Sequence, residues 1–151
     1  MSVVFATSSG SVRRNKLSDF TNIRSNGKIA MKLGPTDRLI GVAPCNDESD
    51  IMLASNKGKA IRFATKDLRV FNSRDSMGVR GIKLKENDFV VSLSVLSDDQ
   101  REFILAVTEN GFGKRSKSSE YRRTGRGGQG IANIEISKKN GNVITSFPVL
   151  E

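Results

Sequence analysis

The stretch DIMLASNKGKAIRFATKDLRVFNSRDSMGVRGIKLKENDFVVSLSVL, from Asp50 to Leu96, decides the fold because it recurs along the chain. Related stretches run from Ser2 to Val42 and from Glu102 to Leu150, so the sequence contains three copies of one unit. Self-similarity at a period of about 50 residues indicates a repeat architecture. The copies divide the chain into three blade repeats, residues 1–45, 46–98 and 99–151.

Six sets of residues align the three copies with few gaps. The sets are Gly10, Gly58 and Gly111; Arg14, Arg62 and Arg115; Phe20, Phe71 and Tyr121; Arg24, Arg74 and Arg126; Gly27, Gly78 and Gly130; and Leu33, Leu84 and Ile136. In every copy the second glycine precedes its aliphatic anchor by the same spacing. This regularity argues against a chance match.

Each copy carries about four β-patterned runs. In the second copy they are IMLAS, GKAIRF, VRGIKL and FVVSLSVL, which alternate or are β-branched and are bounded by Gly, Asn and Asp. No segment has a convincing amphipathic helical period. The pattern predicts an all-β protein of four-stranded antiparallel blades, a β-pinwheel or propeller-like ring. Three blades are fewer than the roughly 4 to 8 of closed rings, so we expect part of a larger assembly.

Composition narrows the classes of function. The 151 residues include 25 Lys plus Arg and 16 Asp plus Glu, a formal charge of +9, which favours an anionic partner. Histidine is absent and Cys45 is the single cysteine, so histidine triads, histidine metal sites and internal disulfides are excluded. No stretch approaches the roughly 20 apolar residues of a membrane span. These features predict a soluble, cytoplasmic protein with no metal, cofactor or membrane partner.

The basic residues recur in phase with the repeat, in two sets. One set surrounds or follows the first glycine: Arg13, Arg14 and Lys16; Lys57, Lys59, Arg62 and Lys66; and Lys114, Arg115 and Lys117. The other lies near the second glycine: Arg24 and Lys28; Arg74 and Arg80; and Arg122, Arg123 and Arg126. Acidic residues cluster instead in linkers 46–50 and 98–102.

Side-by-side blades would turn these phases into basic stripes. Cations distributed along a stripe bind phosphates without reading bases and can offset the cost of bending a duplex. The two basic sets therefore predict non-specific binding of duplex DNA. The alternative is that they are ordinary solvated strand faces.

The segment RRTGRGGQG, residues 122–130, contains the pattern G-x-G-x-x-G. A dinucleotide site needs a strand before these glycines and a helix after them, yet Ile131–Ile136 alternates as a strand does. In the repeat register the segment is one version of a turn present in every copy, where glycine permits close approach of a phosphate backbone. An RGG-type RNA contact is a weaker alternative.

These residues resemble a six-bladed β-pinwheel, the C-terminal DNA-wrapping domain of the DNA gyrase A subunit. The resemblance covers essentially the whole chain and is carried by ENGFGKRSKSSEY (109–121), MGVRGIKL (77–84), DFVVSLSVL (88–96) and NGKIAMKLGPTDRLIGV (26–42). It implies a non-catalytic portion of an ATP-dependent type II topoisomerase. The implied partners are duplex DNA, the B subunit, which hydrolyses ATP, and the remainder of the A subunit, with no small-molecule substrate.

Two departures from the family pattern matter. The signature box Gln-Arg-Arg-Gly-Gly-Lys-Gly is not found, and residues 124–130 are only a degenerate relative of it. The breakage-reunion region with its strand-cleaving tyrosine is also missing, and Tyr121 is interpreted as a packing aromatic. The alternatives are a propeller-like protein-interaction scaffold, from another class, and the related topoisomerase IV A subunit.

Overall fold

The computed structural model describes residues 1–21, 25–74, 76–97 and 101–150. The secondary structure in these ranges consists of short strands and single-turn 3-10 helices, which confirms the all-β prediction. The strands are β1 (Ser2–Thr7), β2 (Ser11–Lys16), β3 (Leu39–Cys45), β4 (Asp50–Ser55), β5 (Lys59–Ala64), β6 (Val70–Phe71), β7 (Val79–Arg80), β8 (Val90–Leu96), β9 (Glu102–Thr108), β10 (Gly113–Lys117), β11 (Ile131–Ala132) and β12 (Val143–Leu150). The 3-10 helices are Leu17–Phe20, Thr65–Asp67 and Ser118–Glu120.

Each repeat opens with an antiparallel hairpin: β1 with β2, β4 with β5, and β9 with β10. The hairpin turns contain Gly10, Gly58 and Gly111, with φ of +93°, +86° and +85°. Residues other than glycine rarely adopt this left-handed conformation, so the turn explains why a glycine recurs there. The first set of anchors therefore occupies one structural position.

The last strand of each repeat returns to the first. β3 pairs with β1, β8 with β4 and β12 with β9, all antiparallel. The register shifts near the start of each returning strand, as a β-bulge does. Each repeat thus builds a three-stranded sheet whose central strand is its own first strand.

The fourth position in a sheet is filled by the following repeat. β6 and β7 pair with β2 of the first repeat, β6 in parallel and β7 antiparallel, and β11 pairs with β5 of the second. Sheets and sequence repeats therefore do not coincide. The runs VRGIKL and Ile131–Ile136 form strand only over their first two residues, since β7 and β11 are both that short.

The sheets contact one another along their returning strands: β3 packs against β8, and β8 against β12. At the first contact a Cβ placed on Gly41 would lie 2.9 Å from Leu93 Cβ, so only glycine fits. The largest core cluster joins the first two sheets and includes the fully buried Val4, Leu53 and Phe63. Each such side chain contributes roughly 1.5–3 kcal/mol through burial.

Asp37 secures the first glycine turn. Burial by itself would raise its pKa, but hydrogen bonds from the hydroxyls of Ser9, Ser8 and Thr7 and from the Ser9 N–H lower the pKa from 3.8 to about 2. A lowered pKa in the folded state stabilises the protein above the unfolded value, and this stabilisation is lost as pH falls from about 4 towards 2.

We expect Asp37→Asn to remove that pH dependence. After allowance for solvent screening, the charged form contributes on the order of 1 kcal/mol. Urea unfolding at pH 7, 4 and 2.5 should therefore show the parent chain losing this margin in acid while the variant does not. Glu86→Gln, in an exposed loop, is the control. Parallel pH profiles for parent and Asp37→Asn would contradict the assignment.

Candidate nucleic-acid interface

The basic strands lie on the sheet edges that face away from the contacts between sheets. The sheet orders β3-β1-β2, β8-β4-β5 and β12-β9-β10 put β2, β5 and β10 opposite the returning strands, which pack on one another. We call β2, β5 and β10, with segments 69–74, 76–84 and 122–136 that cover the first two, the outer rim. Most of the predicted cations therefore fall on these sheet edges or on the segments that cover them.

The structure exposes ten of the predicted DNA-binding residues and half-buries four, Lys28, Lys59, Arg62 and Arg74. The exposed residues are Lys16, Lys57, Lys66, Arg80, Lys114, Arg115, Lys117, Arg122, Arg123 and Arg126. Arg24 lies outside the described residues. Of the ten, Lys66 is 3.9 Å from Glu48 and Arg123 pairs with Asp50. Within the described part of the chain the other eight have no acidic partner.

Arg14 is a correction to the sequence-based site. It is buried, and its Nη1 donates to the carbonyls of Thr65 at 3.3 Å and Leu68 at 3.2 Å, while Nη2 pairs with Asp47. The hydrogen bond and charge of Arg14 hold the pKa of the Asp47 carboxyl below its usual value. The guanidinium thus fastens the first sheet to the 3-10 helix of the second repeat and is not available to a phosphate.

Arg13 is excluded from the interface for the same reason. Its side chain is fully buried, with Nε donating to Asn15 Oδ1 at 2.9 Å and Nη1 to the Ser76 carbonyl. The guanidinium carbon also lies 5.0 Å from the centroid of the Phe71 ring. Arg13 therefore holds the second repeat's segment against β2.

Arg62 repeats the arrangement of Arg14 one blade later. Its Nη1 donates to the Ser118 carbonyl at 2.8 Å and to that of Tyr121 at 3.4 Å, and its Nε pairs with Asp50 at 2.7 Å. Arg123 of the third repeat reaches the same carboxylate, also at 2.7 Å. The sequence suggested that the acidic linker is separate from the cations, but the structure shows the opposite. Asp47 and Asp50 neutralise arginines that join successive repeats.

The aromatic anchors need a different register. Arg14 and Arg62 bind equivalent carbonyls at the ends of the second and third 3-10 helices, and these belong to Leu68 and Tyr121. The alignment of Phe71 with Tyr121 was therefore wrong by three residues. Tyr121 is a packing residue, as expected: it is buried, its hydroxyl donates to Asn133 Oδ1 at 2.7 Å, and burial raises its pKa.

Two glycines of 122–130, Gly127 and Gly130, approach protein backbone. A Cβ on Gly130 would collide with the Ala60 carbonyl of β5, and the Gly127 N–H donates to the Gly81 carbonyl at 2.8 Å. Gly78 presses in the same way on the Val12 carbonyl of β2. The segment is followed by the short strand β11. Close approach to a neighbouring repeat, instead of to a phosphate, explains why this glycine recurs.

A polar groove of about 330 Å³ opens on the outer rim beside the first glycine turn. Ser9, Ser11, Arg80 and Lys83 contribute to its lining. Arg126 lies alongside, since its Nη1 donates to the Arg80 carbonyl at 2.6 Å. Lys83 was missed from the sequence because its position is Lys32 in the first repeat but Glu135 in the third, so it is not in phase with the basic sets.

Other classes of site find little support in the described ranges. They contain no group of three or more His, Cys, Asp or Glu residues placed to hold a metal ion. Among the same residues, no helix is long and apolar enough to cross a membrane. The exposed cations of the outer rim are therefore the best candidates for a binding site.

Known proteins give the geometry a context. A family model described as "DNA gyrase C-terminal domain, beta-propeller" matches residues 2–46, 49–97 and 102–149. The chain is 42% identical to the A subunit of DNA gyrase from Granulibacter bethesdensis, with 97% of this chain and 22% of that protein covered. The chain thus spans about a fifth of the length of such a relative.

Two solved structures share the fold. "Structure of DNA gyrase A C-terminal domain" has a TM-score of 0.86 and 31% identity, covering 98% of this chain and 48% of that one. "Crystal structure of the C-terminal domain of DNA topoisomerase IV" has a TM-score of 0.87, covering 99% and 46%, but its 23% identity indicates a common fold alone.

Proposed function

This chain belongs to the DNA gyrase C-terminal domain family, and from that premise we propose that it binds duplex DNA non-specifically along its outer rim. The observation that carries the proposal is the set of eight exposed cations without acidic partners in the described ranges. Seven lie on the outer rim, and Lys57 lies in the turn that leads into β5: Lys16, Arg80, Lys114, Arg115, Lys117, Arg122, Arg126 and Lys57. Phosphates supply the counter-charge that the protein itself does not.

The arrangement favours contacts to the DNA backbone over contacts to base edges. The exposed cations come from several strands and loops, and no recognition helix is present in the described ranges to enter a groove of the duplex. Phosphate contacts fix position without reading sequence, and each neutralised phosphate adds affinity. Because such contacts are distributed over three sheets, they can also offset the cost of bending the duplex.

The groove beside Gly10 is the best defined phosphate position. Arg80, Lys83 and Arg126 supply charge, and the Ser9 and Ser11 hydroxyls supply further donors. The Ser9 hydroxyl already donates to Asp37 Oδ2 at 2.6 Å, which leaves Ser11 as the freer of the two. Guanidinium and hydroxyl groups together suit the tetrahedral oxygens of a phosphate.

At the level of the whole protein, we propose that the chain serves the A subunit of an ATP-dependent type II topoisomerase in the cytoplasm. It would guide a duplex segment and assist supercoiling, with strand cleavage and ATP hydrolysis supplied by the remaining A-subunit regions and the B subunit. The 42% identity to a gyrase A subunit favours gyrase over topoisomerase IV, the alternative within the fold.

A titration with duplexes of increasing length at several salt concentrations tests the proposal. We expect affinity to rise with duplex length and to fall with log salt at a slope of roughly 0.9 per phosphate contacted. Single-base changes in the duplex should leave the affinity unaltered. No binding at low salt would overturn the proposal and favour the protein-interaction scaffold, the second candidate.

A further inference from the structure

We propose that Asn26 is a site of spontaneous deamidation, a modification that converts asparagine to aspartate or isoaspartate. The proposal concerns the chemistry of the chain itself and does not depend on DNA binding. Asparagine is followed by glycine three times, as Asn26-Gly27, Asn110-Gly111 and Asn140-Gly141. In the described ranges, hydrogen bonds hold the side chains of the last two asparagines but not that of Asn26.

The reaction joins the asparagine side chain to the next backbone nitrogen. Glycine favours it, because no Cβ obstructs the attack. The Gly27 N–H gives its proton to solvent hydroxide, and the nitrogen forms a bond to Asn26 Cγ. The Cγ–Nδ2 bond breaks, and the amide nitrogen takes up protons from water and leaves as ammonia. Water then opens the cyclic imide at either carbonyl, so nothing is oxidised or reduced and the only co-reactant is water.

Ring closure requires the side chain to rotate until Cγ lies against the next backbone nitrogen. An exposed side chain that makes no hydrogen bond rotates rapidly among its rotamers. A hydrogen bond from Nδ2 to a fixed carbonyl opposes the rotation, because that bond has to break first. The hydrogen bonds of the three amides therefore decide which asparagine reacts.

The side chain of Asn110 is held by two such bonds. Its Nδ2 donates to the Lys138 carbonyl at 3.2 Å and to the Lys139 carbonyl at 3.1 Å. The backbone N–H of Asn110 also donates to the Asn140 carbonyl at 3.3 Å. Asn110 thus ties the third hairpin turn to the loop before β12.

Asn140 lies in that loop and is held as well. Its Nδ2 donates to the Glu135 carbonyl at 3.1 Å, and its backbone N–H donates to Ser137 Oγ at 3.1 Å. The Gly141 N–H donates to the Ser137 carbonyl at 2.8 Å, so the attacking nitrogen is engaged too. Both partners of the reaction are therefore fixed at this site.

The side chain of Asn26 is exposed, and its amide makes no hydrogen bond to any residue in the part of the chain that the structure describes. The exposure belongs to the position and not to one repeat. Met77 and Gln129 precede the equivalent glycines, Gly78 and Gly130, which press on strands of the preceding repeats. Even so, Met77 is 52% exposed and Gln129 is also exposed. A neighbouring repeat therefore leaves this side chain in solvent.

The product carries a new carboxylate close to the outer rim. Arg74 Nη1 donates to the Ile29 carbonyl at 3.0 Å, and the Lys32 N–H donates to the Ser76 carbonyl at 3.3 Å, so the segment after Asn26 runs along the rim. Deamidation lowers the formal charge of +9 by one. Cation exchange therefore separates the product without any use of DNA.

Peptide mass spectrometry of the folded protein, incubated at mildly alkaline pH, tests the proposal. We expect Asn26 to exchange NH₂ for OH at least about tenfold faster than Asn110 and Asn140, whose hydrogen bonds must break first. In concentrated urea the three rates should converge, because the fold no longer holds two of the amides. Similar rates in the folded protein would overturn the proposal, as would the same preference for Asn26 in urea.

Asn26→Gln is the matched variant, since the third repeat has Gln129 at the equivalent position. Glutamine cyclises much more slowly, because its longer side chain would form a larger ring. The variant should lose the early acidic species on cation exchange. Asn72→Gln, at an exposed asparagine that is followed by serine, should retain it. Circular dichroism checks the fold, and persistence of the early acidic species in Asn26→Gln would contradict the assignment.

Discussion

Replacing Arg62 by methionine is expected to lower the free energy of unfolding by roughly 3 kcal/mol, the low end for breaking a buried ion pair. The Arg62 side chain is 12% exposed and that of Asp50 only 2%, so the carboxylate would be left in a poorly solvated position. Arg123 still reaches Asp50 and moderates the loss. The carbonyls of Ser118 and Tyr121 would also lose their donor.

Urea unfolding followed by circular dichroism gives the measurement, with Arg122→Met as the control. Arg122 is an exposed neighbour of Arg123 that makes no ion pair in the described part of the chain, so its loss should change stability by less than about 0.5 kcal/mol. The same small change for both variants would show that Arg62 is not a clamp. The comparison also separates the arginines that hold repeats together from those available to DNA.

Removing Arg80 and Lys83 together is expected to weaken DNA binding more than any comparable change away from the outer rim. The double variant Arg80→Gln and Lys83→Gln removes two charges from the groove but keeps polar side chains. If each contacts one phosphate, the slope of log affinity against log salt should fall by roughly 1.8. At low salt this corresponds to an affinity loss on the order of tenfold to a hundredfold.

The matched control is Lys138→Gln with Lys139→Gln, which removes the same charge from exposed residues in the loop before β12. Its effect on DNA affinity should be small, because losing net charge alone changes the salt dependence of binding much less than losing direct phosphate contacts does. Equal losses for the two pairs would mean that net charge, and not the outer rim, determines binding. Filter binding or fluorescence anisotropy at three salt concentrations is sufficient.

Local features of the sequence were enough to predict the hairpins. IMLAS and GKAIRF flank a glycine turn, and β4 and β5 lie there, because strand alternation and a left-handed turn are encoded within a dozen residues. FVVSLSVL shows the same strand alternation, and it forms β8, which pairs with β4. These elements need no knowledge of the neighbouring repeats.

The placement of the arginines could not be read in the same way. SVRRNK resembles an exposed basic strand, yet Arg13 and Arg14 are buried because the following repeat covers that edge of the sheet. Whether an edge is covered depends on residues more than fifty positions away. A usable signal was present in the in-phase recurrence of Arg14 and Arg62 together with acidic linkers that supply Asp47 and Asp50.

Because each of the first two sheets takes an outer strand from the next repeat, its strands are synthesised in two separate stages. The first sheet's own strands are complete once Cys45 has been synthesised, but its last edge waits for Val79 and Arg80. During translation each of these sheets can therefore be completed only after part of the following repeat has been synthesised. A pause in translation between repeats would therefore leave that edge open to other chains.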